Sequence, residues 1–188
     1  MVELSDAAQG RRIFVAVPLP DEVRIAVADR LGRVEVPGRI APAENWHITL
    51  RFLGRVGEVA YERFLAALDS SDLGGPFQVG LGNLGAFPRP RNATVIWVDA
   101  TRGQERLQDL ADLSEEAAQS AGLPPQERPF RSHLTLSRLR PAQDVTRLVE
   151  TAPAMGIEWR CESIVVYRSH LGRGGASYEP LETLALFR

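Results

Sequence analysis

Residues 47–50 read His-Ile-Thr-Leu, and residues 133–136 read His-Leu-Thr-Leu. The two strings share one order: a histidine, an aliphatic residue, a threonine and a leucine. Each string falls on a stretch whose hydrophobic pattern is typical of a strand, after a proline-containing loop and before a predicted helix. The chain therefore carries a weak internal repeat, which predicts two lobes related by a pseudo-twofold axis.

The strand prediction decides where the polar side chains of each string point. Successive side chains of a strand lie on opposite faces, so His47 and Thr49 share one face, about 6–7 Å apart. His133 and Thr135 share a face in the same way, and the aliphatic residues of both strings point into the core. If the two lobes face each other, two imidazoles and two hydroxyls line one cleft.

The elements around the two strings alternate between helix and strand, and hairpins recur. This pattern predicts an α+β fold of two pseudo-symmetric lobes, each an antiparallel sheet with helices on its outer face and the active-site cleft between them. We expect one bilobal domain over residues 1–188. The predicted helices are 21–32, 58–68, 104–121 and 142–150, and the predicted strands are 11–18, 46–53, 77–87, 94–98, 130–139, 158–167 and 178–187.

The composition excludes several kinds of chemistry. All 22 basic residues are arginine, so no lysine can form a Schiff base or a lysyl-adenylate. The single cysteine, Cys161, permits no internal disulfide or cysteine-built zinc site, and we predict that it is a buried apolar residue. A polar N-terminus and the lack of a long apolar run predict a cytoplasmic protein with no membrane contact, expected to be a monomer.

Two histidines facing one cleft can divide acid and base work near neutral pH. The protonated ring donates to a leaving oxygen, and the neutral ring accepts a proton from attacking water. Threonine hydroxyls can hold phosphoryl oxygens, so in-line displacement at phosphorus suits the cleft without a metal or cofactor. The third histidine, His170, has no threonine two residues on and is predicted to be a surface loop residue.

The two strings and their flanks resemble the 2H phosphoesterase superfamily, in particular its RNA 2′,3′-cyclic phosphodiesterase branch, historically also called 2′-5′ RNA ligases. Residues 46–54 and 130–138 are similar to its two signatures, and residues 13–17 to its first strand. This resemblance implies a bilobal α+β fold and a substrate that is an RNA terminus or small nucleotide with a 2′,3′-cyclic phosphate.

The resemblance also implies a role for each site residue. His47 would be the general acid on the leaving ribose 3′-oxygen, and His133 the base that activates water. Thr49 and Thr135 would bind the phosphate, and Arg138 would add positive charge there. The implied product is RNA ending in a 2′-phosphate.

Two other functions remain open from the sequence. One is reversible joining of RNA ends through a 2′-5′ linkage at the same site, and the other is binding of RNA ends without turnover. A net charge of −2 argues against charge-driven binding to long nucleic acid, but it is compatible with recognition of an RNA end.

Further residues near the two strings are weaker candidates. Arg51 and Arg131 flank the strings and are candidate RNA contacts. Phe14, Phe52 and Tyr167 are predicted to lie in the core, although an aromatic ring at the cleft could stack on the terminal base.

Overall fold

A computed structural model describes residues 10–172 and 175–187, over which the chain forms nine strands and four helices. The strands are β1 (Arg11–Pro18), β2 (Arg39–Ile40), β3 (His47–Val56), β4 (Phe77–Phe87), β5 (Ala93–Arg102), β6 (His133–Gln143), β7 (Ile157–Cys161), β8 (Ser163–Gly172) and β9 (Gly175–Ala185). The helices are α1 (Asp21–Leu31), α2 (Glu58–Asp69), α3 (Gln104–Ser120) and α4 (Thr146–Thr151). Among the described residues, no helix is long and apolar enough to cross a membrane.

The strands form one antiparallel sheet in the order β7-β4-β5-β6-β3-β1-β8-β9, and β2 is added beside β6. Strands β7, β4, β5 and β6 make one half, and β3, β1, β8 and β9 make the other. The halves join where Ile48 of β3 pairs with Leu134 of β6. The predicted two-lobed α+β fold is confirmed, and the structure adds that the two lobes share one continuous sheet.

The apolar residues of the two His-x-Thr strings hold this joint together. Ile48, Leu50, Leu134 and Leu136 are all at most 2% exposed and lie in the main hydrophobic core. The helices pack their apolar stripes into the same core, and α3 contacts both α2 and β3. Burial of four large aliphatic side chains therefore fixes how the polar faces of β3 and β6 are placed.

The strand predicted over residues 158–167 is wrong as a single element. The structure divides it at Glu162 into β7, which pairs with β4, and β8, which pairs with β1. The burial pattern changes at this point, from alternation along β7 to a continuous buried run in β8. The chain therefore crosses from one half of the sheet to the other at Glu162.

Both His-x-Thr strands carry a bulge at the same place. Leu50 is an extra residue in the pairing of β3 with β1, and Leu136 is an extra residue in the pairing of β6 with β5. A bulge shifts the alternation of side chains by one residue. Burial classes consequently agree over the first nine residues of β3 and β6, and the fifth residue after each histidine, Phe52 or Arg138, is exposed.

The bulge overturns one sequence prediction directly. Phe52, predicted to be a core residue, is 60% exposed, whereas Phe14 is buried as predicted. Tyr167 is half-buried, between these two. Strict alternation would have placed Phe52 on the core face of β3, and the extra residue at Leu50 turns it outward instead.

Candidate active site

A cleft of about 1140 Å³ lies where the two halves of the sheet meet. The five residues predicted from the sequence to form the site all line it: His47, Thr49, His133, Thr135 and Arg138. The structure therefore brings together side chains that are far apart in the sequence, on the face of the sheet opposite the buried Ile48 and Leu134.

The register at the joint relates the two strings by a local twofold axis. Because Ile48 pairs with Leu134 in antiparallel fashion, the neighbouring positions place His47 opposite Thr135 and Thr49 opposite His133. The two histidines are then diagonal neighbours, about 7–8 Å apart at this kind of position. Both side chains line the cleft, one on each side of the joint.

Backbone carbonyls hold both rings in the same tautomer when they are neutral. The Nδ1–H of His47 donates to the Asn45 carbonyl at 2.7 Å, and that of His133 donates to the Arg131 carbonyl at 2.7 Å. In each case the acceptor lies two residues before the histidine, which leaves Nε2 as the atom available for proton transfer. The Thr49 hydroxyl donates to Nε2 of His47 at 3.0 Å.

Aromatic rings from three strands surround His47. Its ring centroid lies 4.9 Å from that of Phe14, 5.2 Å from that of Tyr178 and 6.3 Å from that of Tyr167. Burial among these rings, with a smaller contribution from the charge of His133, lowers the pKa of His47 from its ordinary 6.5 to about 4, although the hydrogen bond to the Asn45 carbonyl opposes the change. The ring of His47 is therefore neutral at pH 7 when the cleft holds no anion.

The surroundings of His133 are aromatic and cationic. Phe87 meets its ring edge-on at 5.1 Å and Trp97 lies at 6.0 Å. The Arg131 guanidinium lies over both of these rings, at 4.8 Å from Trp97 and 5.5 Å from Phe87. Burial lowers the pKa of His133, and the nearby charges of Arg131 and Arg138 add to the effect.

The cleft is more basic than the chain as a whole. The charged residues in the described part of its lining are Arg39, Arg51, Glu127, Arg128, Arg131 and Arg138. Arg39 and Arg138 are direct partners across β2 and β6. Five of these six charged side chains are cationic, so the cleft has a positive character that suits an anionic ligand.

Arg51, a candidate RNA contact from the sequence, is instead a buried structural residue. It is 6% exposed, forms a salt bridge with Glu115 of α3, and donates to the Pro124 carbonyl at 2.6 Å. Glu115 in turn accepts from the backbone N–H of Gln126 at 2.9 Å. The pair thereby holds the loop after α3, which forms one wall of the cleft.

His170 and Cys161 do not line the cleft. His170 is exposed as predicted, but it lies on β8 rather than in a loop, and it contacts Glu179 at 2.8 Å. Cys161 is buried as predicted, and burial raises the pKa of its thiol to about 11. Within residues 10–172 and 175–187, no group of three His, Cys, Asp or Glu side chains is placed to hold a metal ion.

Two features of the site could not be predicted from the sequence. The carbonyls of Asn45 and Arg131 orient the rings, and a backbone acceptor leaves no trace in residue type. The side chain of Asn45 also donates to the Ala176 carbonyl at 2.7 Å, which links the segment before β3 to β9. That contact joins residues far apart in the sequence, so no local pattern could predict it.

The fold and the paired His-x-Thr strings agree with the comparisons to known proteins. The family model of the 2′-5′ RNA ligase superfamily matches residues 19–173, and the chain belongs to that superfamily. The RNA 2′,3′-cyclic phosphodiesterase of Aeropyrum pernix is 34% identical over 157 residues, covering 81% of this chain and 89% of the relative. The enzyme of that name from Escherichia coli is 31% identical over 183 residues, covering 95% and 98%.

Solved structures give the same result. Escherichia coli LigT in its apo form superposes with a TM-score of 0.81 at 28% identity, covering 96% of this chain and 99% of LigT. LigT complexed with 3′-AMP superposes with a TM-score of 0.80 at 27% identity and the same coverage. The resemblance to 2H phosphoesterases inferred from the two strings is thus confirmed over nearly the whole chain.

Proposed function

We propose that this chain hydrolyses 2′,3′-cyclic phosphate ends of RNA, or of small nucleotides, to 2′-phosphomonoesters. The observation that carries the proposal is the pair of Nδ1–H rings on one cleft, each with Nε2 left for proton transfer. The curated relatives named RNA 2′,3′-cyclic phosphodiesterase support it, since they match over most of the chain.

In the proposed reaction, Nε2 of His133 takes a proton from a water molecule as that water attacks phosphorus. The new P–O bond forms as the bond from phosphorus to the ribose 3′-oxygen breaks. His47, protonated in the complex, delivers the proton from Nε2 to the leaving 3′-oxygen. One turnover leaves His133 protonated and His47 neutral, and exchange with solvent restores the starting state.

Binding of the substrate favours the protonated form of His47, which the proposed reaction requires. Burial keeps this ring neutral in the free protein, but an adjacent phosphodiester anion favours its charged form. The Asn45 carbonyl, which accepts from Nδ1–H, stabilises the resulting imidazolium. Once Nε2 carries a proton, the Thr49 hydroxyl no longer donates to it and can turn to a phosphoryl oxygen.

The remaining residues of the cleft stabilise the phosphate. In this proposal the hydroxyls of Thr49 and Thr135 and the guanidinium of Arg138, which all line the cleft, hold the non-bridging oxygens, where negative charge accumulates in the transition state. All three lie on the cleft face of β3 and β6. In this proposal the chain supplies binding, acid and base without a cofactor.

The test measures turnover of an oligonucleotide with a 2′,3′-cyclic phosphate end, in EDTA, for His47→Ala and His133→Ala separately. We expect each substitution to lower kcat about 10²–10⁴-fold. His170→Ala is the matched control, because it removes an exposed histidine that does not line the cleft and should not change turnover. Undiminished turnover in either cleft variant, or tight binding by the native chain with no product, would overturn the proposal.

A second candidate function is the joining of RNA ends through a 2′-5′ linkage, which the name of the superfamily favours. An RNA 5′-hydroxyl would take the place of water at His133, and the same groups would act. Incubation of 2′,3′-cyclic phosphate ends with 5′-hydroxyl ends separates the two reactions, because only joining lengthens the RNA.

A further inference from the structure

The two cleft histidines have equivalent backbone contacts, but the residues that supply those contacts differ. In each string the Nδ1–H of the ring donates to the carbonyl two residues earlier, at 2.7 Å. That carbonyl belongs to Asn45 in the case of His47 and to Arg131 in the case of His133. The local twofold symmetry of the site is therefore broken at this position, by a neutral side chain in one half and a cation in the other.

The Arg131 guanidinium is held against the two aromatic rings that contact His133. It lies 4.8 Å from the centroid of Trp97 and 5.5 Å from that of Phe87, and these two rings lie 5.0 Å apart. Cation–π attraction favours this position of the charge. In the part of the chain that the structure describes, no carboxylate forms an ion pair with Arg131, so its charge is not neutralised locally.

The other charged side chains around His133 come from β6, β2, β5 and the loop after α3. They are Arg138, Arg39, Asp99, Glu127 and Arg128. Asp99 is paired with His133 across the sheet, but its carboxylate accepts from the backbone N–H of Asn83 on β4. Because β5 lies between β4 and β6, that hydrogen bond directs the carboxylate away from His133. The surroundings of His133 are therefore cationic on balance.

A cation beside one histidine matters because the proposed reaction needs a proton on His47 and none on His133. Burial lowers the pKa of His47 to about 4 and also lowers that of His133, so burial by itself does not direct the proton to His47. A like charge nearby disfavours protonation of a ring, and aromatic neighbours exclude the water that would screen it. In the described part of the chain, no arginine lies over the aromatic rings that contact His47.

We infer that Arg131 decides which histidine is the acid and which is the base, as a positioning residue that acts through His133. Its guanidinium, held on Trp97 and Phe87, keeps the proton off His133 and leaves it to His47. This inference rests on the proposed function and adds to it the group that makes two similar histidines unequal. Arg131, a candidate RNA contact from the sequence, thereby has a role within the chain itself.

The first test follows the His133 ring by NMR titration of the intact chain without substrate. Arg131→Met removes the charge but keeps an unbranched side chain for the two aromatic rings, and the midpoint of His133 should move to higher pH. Arg131→Lys keeps the charge and should titrate like the native chain. Arg128→Met, the matched control, removes another exposed cation of the cleft lining and should move the midpoint less. His170, which does not line the cleft, is the internal reference.

The second test measures turnover of adenosine 2′,3′-cyclic phosphate at pH 7. Arg131→Met should lower kcat about tenfold with little change in KM, because the proton moves to the wrong ring while the contacts to the substrate stay in place. Arg131→Lys should restore most of the lost kcat.

The two tests give separate ways for the inference to fail. An unchanged midpoint of His133 in Arg131→Met, or an equal shift in Arg128→Met, would overturn it. A rise in KM with native kcat would overturn it as well, since that is the result expected of an RNA contact. The titration needs no substrate, so absence of turnover by the native chain would count against the proposed hydrolysis and not against the effect of Arg131 on His133.

Discussion

Ile48 and Leu134 face each other across β3 and β6, and both side chains are completely buried. Each follows one of the two cleft histidines directly. The relative position of the two imidazoles therefore depends on how two aliphatic side chains pack beneath them, on the opposite face of the sheet.

Truncation at this joint should harm activity beyond its effect on stability. Leu134→Ala removes buried methyl groups and should lower the free energy of unfolding by about 2–5 kcal/mol. Displacement of His133 should also lower kcat at least tenfold at temperatures where the variant is folded. Leu107→Ala, in the buried face of α3, should cost similar stability with a smaller loss of kcat. Urea unfolding and steady-state kinetics compare the two variants. Equal losses of kcat would contradict a specific role of Leu134 in positioning His133.

The low pKa of His47 makes stability depend on pH in a defined window. The unfolded chain binds a proton at this residue below about pH 6.5, whereas the folded chain does so only near pH 4. Stability from the neutral ring is therefore fully present above pH 6.5 and is lost as the pH falls toward 4. His47→Gln should flatten this slope in thermal melts between pH 4 and 7, and an unchanged slope would contradict the assigned pKa.

Binding of an anion in the cleft should be accompanied by proton uptake. Sulfate has no titratable group near neutral pH, so any proton taken up when it binds comes to the protein. At pH 6.5 we expect uptake, because the anion raises the pKa values of His47 and His133, both lowered in the free protein. Calorimetry in buffers of different ionisation enthalpy measures the uptake, and binding without uptake would show that neither ring meets the anion.

The Arg51–Glu115 pair should matter more for stability than an ion pair at the surface. Arg51→Met leaves Glu115 and the Pro124 carbonyl without their partner, and should lower the free energy of unfolding by about 2–3 kcal/mol. Arg102→Met breaks the exposed Arg102–Glu158 pair and should cost less than about 1 kcal/mol. Thermal melts of both variants test this. Equal shifts in Tm would show that the buried pair contributes no more to stability than the exposed pair.

A methyl group at Gly85 should disturb the ring beside His133. Gly85 is paired with Trp97 across β4 and β5, and a Cβ there would overlap the Trp97 indole. Gly85→Ala should therefore shift tryptophan fluorescence and lower kcat. Gly57→Ala places its methyl group in open space and is the matched control. Native fluorescence and native kcat in Gly85→Ala would mean that the indole does not support His133.

The two repeated strings predicted which residues would line one cleft, and the bulges explain most of what the strings could not predict. The faces of His47 and Thr49 follow from strand alternation alone. Past Leu50 the alternation shifts, so Arg51 is buried and Phe52 is exposed, the reverse of what period two indicates. A bulge is defined by the pairing with a neighbouring strand, which a single strand's sequence does not contain.

The division at Glu162 escaped prediction for a related reason. Its two sides read as one continuous strand, but they pair with partners in different halves of the sheet. Hydrophobic periodicity reports which face of a strand is buried, and it carries no information about which strand lies beside it.

The rings around His47 have a consequence for synthesis of the protein. Tyr167 and Tyr178 belong to the hairpin of β8 and β9, which the ribosome makes long after the histidine itself. A nascent chain that still lacks this hairpin leaves His47 in water with an ordinary imidazole. The surroundings of His47 are thus complete only once the β8–β9 hairpin has been made, and fragments that lack it should not turn over a 2′,3′-cyclic phosphate.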